Sequence, residues 1–127
     1  MITKNFGLIL IYFLSSGCTS QNKIYNPQDP VFSGQAPPVF NVVLKTSKGN
    51  ILIEVTRQWS PNGADRFYNL VRHGYYDNAA VFRVRAGVWA QFGISGSPKV
   101  AQVWRFKTIA DDPRIASNVR GTIDYAF

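Results

Sequence analysis

Apolar positions gather in two short runs bounded by polar residues, "FNVVLKT" (Phe40 to Thr46) and "ILIEVTR" (Ile51 to Arg57), both rich in β-branched residues. Such runs read as strands. The intervening "SKGN" holds Gly49 and Asn50, residue types that accept positive φ, so the pattern predicts a β-hairpin. The pattern then changes. In "SPNGADRFYNLVRHGYY", Ala64, Phe67, Leu70 and Val71 fall on one helical face, with Ser60 as N-cap, Pro61 in the first turn and Gly74 at the C-terminal left-handed position. This predicts one amphipathic helix packed on a sheet. Further on, "VFRVRAGVWAQFG" returns to strand-like alternation, with Phe82 and Val84 on one face, expected in the core, and Val81, Arg83 and Arg85 on the other.

The ends of the chain read differently. Lys4 precedes the apolar "FGLILIYFL" (Phe6 to Leu14), which is too short to span a bilayer, and "SSGC" ends at Cys18, the sole cysteine. Residues 1–18 therefore read as an export signal. Its small-small-Cys ending resembles the bacterial lipoprotein signal, in which the cysteine is lipidated. Leu14 lies four residues before Cys18 and Ser15 three before it, where that signal usually has leucine, so an ordinary signal peptide with an incidental cysteine stays open. Thr19 to Pro38 is polar, carries Pro27, Pro30, Pro37 and Pro38, and lacks apolar periodicity, as a flexible tether would over residues 19–39.

Composition narrows the choice of class. The 127 residues are 46% hydrophobic and 14% aromatic, enough for the core of one globular domain. The net charge of +7 could draw nucleic acid, anionic lipid or an acidic partner, but the basic residues are scattered singly and form no stripe, so nucleic-acid binding is not expected. A lone cysteine cannot form an internal disulfide. His73, the only histidine, has no second His, Cys or nucleophile nearby in sequence and reads as a helix C-terminal residue, with no metal expected. Taken by itself, an outward arginine on a strand is more often a surface group than a catalyst.

The order and spacing of these elements resemble the cyclophilin family of peptidyl-prolyl isomerases, in particular its bacterial, exported branch. The resemblance rests on "ADRFYNL", on Phe-Arg-Val followed by Gln eight residues after the arginine and then Phe-Gly, and on "RGTIDYA". It implies a domain over residues 40–127. The fold implied is mostly β, an incomplete antiparallel β-barrel with one packed helix, in which "ISGSPKVAQVWRFKTIADDP" is a long loop and "SNVRGTIDYA" a turn and strand. It also implies that Arg83 is the catalytic arginine and that Gln91 hydrogen-bonds the substrate backbone. Val88 and Trp89 take positions where the family commonly has Phe-Met, Ala86 replaces a proline, and Arg85 replaces an apolar residue. Val88 should make the proline pocket shallower, and Ala126 would lie on the substrate-binding wall. The resemblance implies no cofactor.

The family's chemistry needs little more than an arginine. Amide resonance sets a barrier of ~18–20 kcal/mol to rotation about the C–N bond. A guanidinium donating to the prolyl nitrogen favours the twisted, pyramidal form, and stays ionised at any ordinary pH.

The resemblance stops before the family's Asn-rich turn and the Gln-Phe-Phe type strand that complete the groove. The expectation is half a barrel, with Val43, Phe82 and Val88 uncovered, Tyr125 and Phe127 near an unpaired edge, and the chain alone weakly folded or associated and little active. Three functions stay open: prolyl isomerisation of exported proteins, non-catalytic binding of proline peptides, and adhesion of a basic domain to lipid or nucleic acid. The expected partners are proline-containing polypeptides and a membrane reached through lipidated Cys18; the expected location is periplasmic or membrane-anchored.

Overall fold

A computed structural model describes residues 23–126. The signal segment and Cys18 lie outside the described residues, as does Phe127. Among those described, no helix is long and apolar enough to cross a membrane.

Strands β1 (Val39–Thr46) and β2 (Gly49–Thr56) form the expected antiparallel hairpin, paired from Val39↔Thr56 to Thr46↔Gly49. The turn is tighter than expected. Ser47 and Lys48 alone make the loop, Gly49 takes φ 123° at the start of β2, and Asn50 is already paired with Lys45 in the ladder. Thr46 Oγ1 closes the turn by accepting from Lys48 N and donating to the Gly49 carbonyl.

Helix α1 (Pro61–Arg72) follows a short 3-10 turn at Arg57–Trp59, with His73 as C-cap and Gly74 at φ 71°. Its apolar residues serve two cores. Phe67 packs with Val42 and Ile53 of the hairpin, while Leu70 joins Ile24, Phe32, Val100 and Trp104. The helix is therefore the wall between a sheet core and a second cluster.

That second cluster changes the reading of the proline-rich stretch. Ile24, Phe32 and Ala36 are buried, Pro30–Ser33 forms a 3-10 turn capped by Asp29, and Trp104 Nε1 donates to the Ile24 carbonyl at 2.7 Å. A flexible tether would bury none of these. From Ile24 onward the segment is held instead by side chains reaching from α1. Asn69, 2% exposed, donates to the carbonyls of Phe32 and Gly34. Asp65 accepts from Ala36 N at 2.8 Å and pairs through both oxygens with Arg57, at 2.7 and 2.8 Å.

The stretch read as a long loop also holds structure. Pro98–Trp104 is a helix, α2, so among the described residues a second packed helix joins the expected one. Its Val100 and Trp104 are buried, and both face the second core. The N-terminus of α1 likewise differs from expectation. The Ser60 side chain makes no cap bond; it donates to Asp112 at 2.6 Å, and the Asp112 carboxylate accepts from Asn62 N and Gly63 N at 3.0 and 2.9 Å. A carboxylate satisfies orphan amides and favours the helix dipole better than a hydroxyl does. Gly63 lies close under this bridge, where an added Cβ would meet Ser60 Oγ at 2.5 Å.

Strands β3 (Arg83–Arg85) and β4 (Trp89–Gln91) form a second antiparallel hairpin. The two sheets are open and separate, an unclosed version of the expected barrel. "GTIDYA" pairs with no strand among the described residues; a turn from Val119 to Thr122 is its only regular feature. A strand exists only where a ladder partner takes its amides. Val84, on the face expected to enter the core, is 65% exposed, and Val43, Phe82 and Val88 are uncovered, as half a barrel would leave them.

Two carboxylates tie distant segments to α1, and both titrate below their ordinary value of 3.8. At Asp65 the Arg57 bond is the main cause, helped by Ala36 N against the effect of burial. At Asp112 burial acts upward and is outweighed by bonds from Ser60, Gly63 and Asn62. A depressed folded-state pKa contributes stability above the unfolded value and loses it as pH falls through the folded one. Melting temperature is therefore expected to fall as pH is lowered from about 4. Asp112→Asn should flatten part of that fall; a slope unchanged by the substitution would show that Asp112 does not cap α1 in solution.

Candidate active site

The β3–β4 hairpin turns at Arg85–Val88, with Val88 N donating to the Arg85 carbonyl at 3.0 Å and Gly87 at φ 73°. Positive φ at Gly87 is what allows so short a return. Because the turn is centred on Gly87, residues four before and four after it meet: Arg83 pairs with Gln91, Val84 with Ala90 and Arg85 with Trp89. The eight-residue spacing of Arg83 and Gln91 is thus a cross-strand contact folded from a linear motif. Directly opposed residues share a face, and so do residues two apart on one strand. Arg83, Arg85, Trp89 and Gln91 accordingly occupy one face, and Val84 and Ala90 the other.

On the first face the Arg83 guanidinium carbon lies 5.0 Å from the centre of the Trp89 ring, a cation–π contact that restrains the long side chain. Gln91 is half-buried, and its backbone carbonyl accepts from Phe82 N at 3.1 Å, extending the ladder one step beyond β3. The hairpin is anchored through the next residue. Phe92 stacks on Tyr76 at 6.3 Å, and Tyr76 in turn meets Phe67 of α1 at 5.5 Å. Burial pushes the Tyr76 phenol far up, so it stays neutral. At the hairpin's base, Gly96 lies against the backbone carbonyl of Asn78 so closely that a Cβ has no room.

Val88 is 62% exposed and Trp89 39%, so Val88 lines no enclosed proline pocket. Ala126 is exposed in the terminal segment, outside the hairpin. Two clefts stand elsewhere. One of about 200 Å³ lies beside Phe32, Asp65 and Arg66; another, open and about 640 Å³, is lined by Ile24, His73, Asp77 and Ser95 among others. Neither includes Arg83 or Gln91. His73 Nδ1 donates to the Asn69 carbonyl at 2.7 Å and its ring meets Phe32 edge-on, a structural role in the second core. No group of three His, Cys, Asp or Glu side chains able to hold a metal occurs among the described residues.

Tyr76 and Phe92, which seat the hairpin on α1, escape a sequence reading because each is only one more aromatic in an aromatic-rich stretch. Arg57, Asp65 and Asp112 escape it because their partners are distant or irregular segments.

Residues 41–126, well over half of the chain, match the cyclophilin type peptidyl-prolyl cis-trans isomerase family, and the chain belongs to that family. Among curated relatives, it is 36% identical over 53 residues to "Peptidyl-prolyl cis-trans isomerase-like 1" of Gibberella zeae, covering 42% of this chain and 33% of that protein. It is 46% identical over 44 residues to "Peptidyl-prolyl cis-trans isomerase ppi1" of Schizosaccharomyces pombe, covering 35% of this chain and 28% of that protein. The chain thus spans about a third of the length of these relatives. No solved structure matches it significantly.

Proposed function

We propose that the chain acts in peptidyl-prolyl cis-trans isomerisation of exported polypeptides, with Arg83 as the catalytic group and Gln91 as the substrate-backbone partner. The observation that carries this reading is the placement of Arg83 directly across from Gln91 on one accessible hairpin face, within the segment that matches the family. In this mechanism the guanidinium donates a hydrogen bond to the prolyl nitrogen as its lone pair emerges, and Gln91 holds the adjoining peptide group in register. The interaction strengthens toward the twisted state, which is the condition for a rate effect rather than mere binding. No covalent bond is made or broken, and no proton is consumed.

The exposure of Val88 favours a second reading, in which the same face binds proline peptides without turnover, since an open surface holds a prolyl ring loosely. Exchange spectroscopy on an Ala-Pro peptide separates the two. Cis–trans exchange accelerated by substoichiometric chain supports isomerisation; peptide shift changes with exchange at the uncatalysed rate support binding alone and overturn the enzyme reading.

The apolar segment ending at Cys18 supports lipidation and a membrane-held location. Cys18→Ser is expected to move the exported protein from the membrane fraction to the soluble one. Identical fractionation of both forms would reject the anchor.

A further inference from the structure

Arg85 stands on the same face as Arg83, two residues along β3, with Trp89 directly opposite it. Both arginines are exposed. The strand rise separates them by roughly 7 Å, less than the ~8 Å Debye length at physiological salt, so their fields add over the face between them. Neither arginine has an ion-pair partner among the described residues. Between Asp77 and Asp111 there is no acidic residue, while Arg83, Arg85, Lys99, Arg105 and Lys107 all fall in that interval. The one ion pair among the described residues, Arg57–Asp65, lies in another part of the fold.

Two guanidiniums that repel each other, unpaired and beside an indole ring, form a face whose missing counter-charge is best supplied by a ligand. If Arg83 addresses the prolyl nitrogen, Arg85 sits about two residues of extended peptide away. We propose that this face selects prolyl peptides bearing an anionic group about two residues from the proline, with Arg85 as the specificity-determining residue. The inference rests on the peptide-binding reading above and deepens it. A carboxylate side chain or a phosphorylated serine would supply the same charge, and a guanidinium receives either through paired N–H donors.

The test titrates the full chain with otherwise identical peptides carrying Ala, Glu, Lys or phosphoserine two residues from the proline, reading affinity from shift changes and turnover from cis–trans exchange. At low ionic strength Glu or phosphoserine is expected to bind about 3- to 10-fold more tightly than Ala, and Lys more weakly, with the spread collapsing at about 0.5 M salt. Preference for Glu and phosphoserine alike identifies any anionic side chain as ligand; preference for phosphoserine alone identifies phosphate. Arg85→Glu should reverse the order in favour of Lys, and Arg85→Lys should retain it. Lys48→Glu, which changes net charge equally but in the β1–β2 turn, should leave the order intact, separating a local site from the pull of the whole basic chain. Equal affinities at low salt, or an order that follows Lys48→Glu as readily as Arg85→Glu, would overturn the inference. The two readings fail separately: ordered binding without catalysed exchange sinks the isomerase, whereas catalysed exchange indifferent to the flanking charge sinks the selectivity.

Discussion

Replacing Arg83 by alanine is expected to lower catalysed prolyl exchange by about 100- to 1,000-fold, the usual cost of removing one donor aimed at transition-state charge. Far-UV circular dichroism should not change, because the side chain is exposed and rests on the Trp89 ring at the surface. Arg83→Lys should lose nearly as much. An ammonium keeps the charge but lacks the planar fork that can rest on an indole while donating outward. A lysine variant as active as the parent would mean that charge alone suffices, and that donor geometry is not part of the mechanism.

The largest effect on stability is expected from Phe32→Ala. Phe32 is 9% exposed, meets Trp104 at 4.8 Å and His73 at 4.9 Å, both edge-on, and sits where the proline-rich segment crosses α1. Removing a buried phenylalanine costs about 3–5 kcal/mol, a large share of the ~5–15 kcal/mol that holds a typical domain. Urea denaturation should show a correspondingly lower midpoint. A loss below about 1 kcal/mol would show that residues before β1 are a tether after all, since surface substitutions fall in that range.

What the sequence makes legible here is local. The β1–β2 hairpin follows from two β-rich runs about a glycine turn, and α1 from a 3.6-residue period bracketed by Ser60-Pro61 and Gly74. The Arg83–Gln91 opposition is not legible: the stretch reads as one extended run, and only the turn centred on Gly87 converts a spacing of eight into a cross-strand pair. Helix α2 carries a readable signal in Pro98, Val100, Val103 and Trp104, obscured by its likeness to a loop of the family. The second core is a different matter. Ile24 and Trp104 are 80 residues apart, and a pattern confined to neighbours holds no trace of a bond between an indole N–H and so distant a carbonyl. Pro-rich composition reads as an extended tether when the apolar residues within it are few, yet Ile24, Phe32 and Ala36 suffice to seat the segment once α1 and α2 provide a surface. The exposure of Phe82 and Val84 has the same origin: alternation assigns them a common face, but only the rest of the fold decides whether anything covers it.

The central claim is that prolyl peptides meet this chain on the face shared by Arg83 and Gln91. Residue-resolved NMR titration with a labelled chain and an Ala-Pro peptide tests that most directly. Shift changes should be largest at the Arg83 guanidinium, the Trp89 indole and the Gln91 side-chain amide, and should vanish in Arg83→Ala. Changes centred on His73, Asp77 and Ser95 in the larger cleft, with the hairpin silent, would contradict the account.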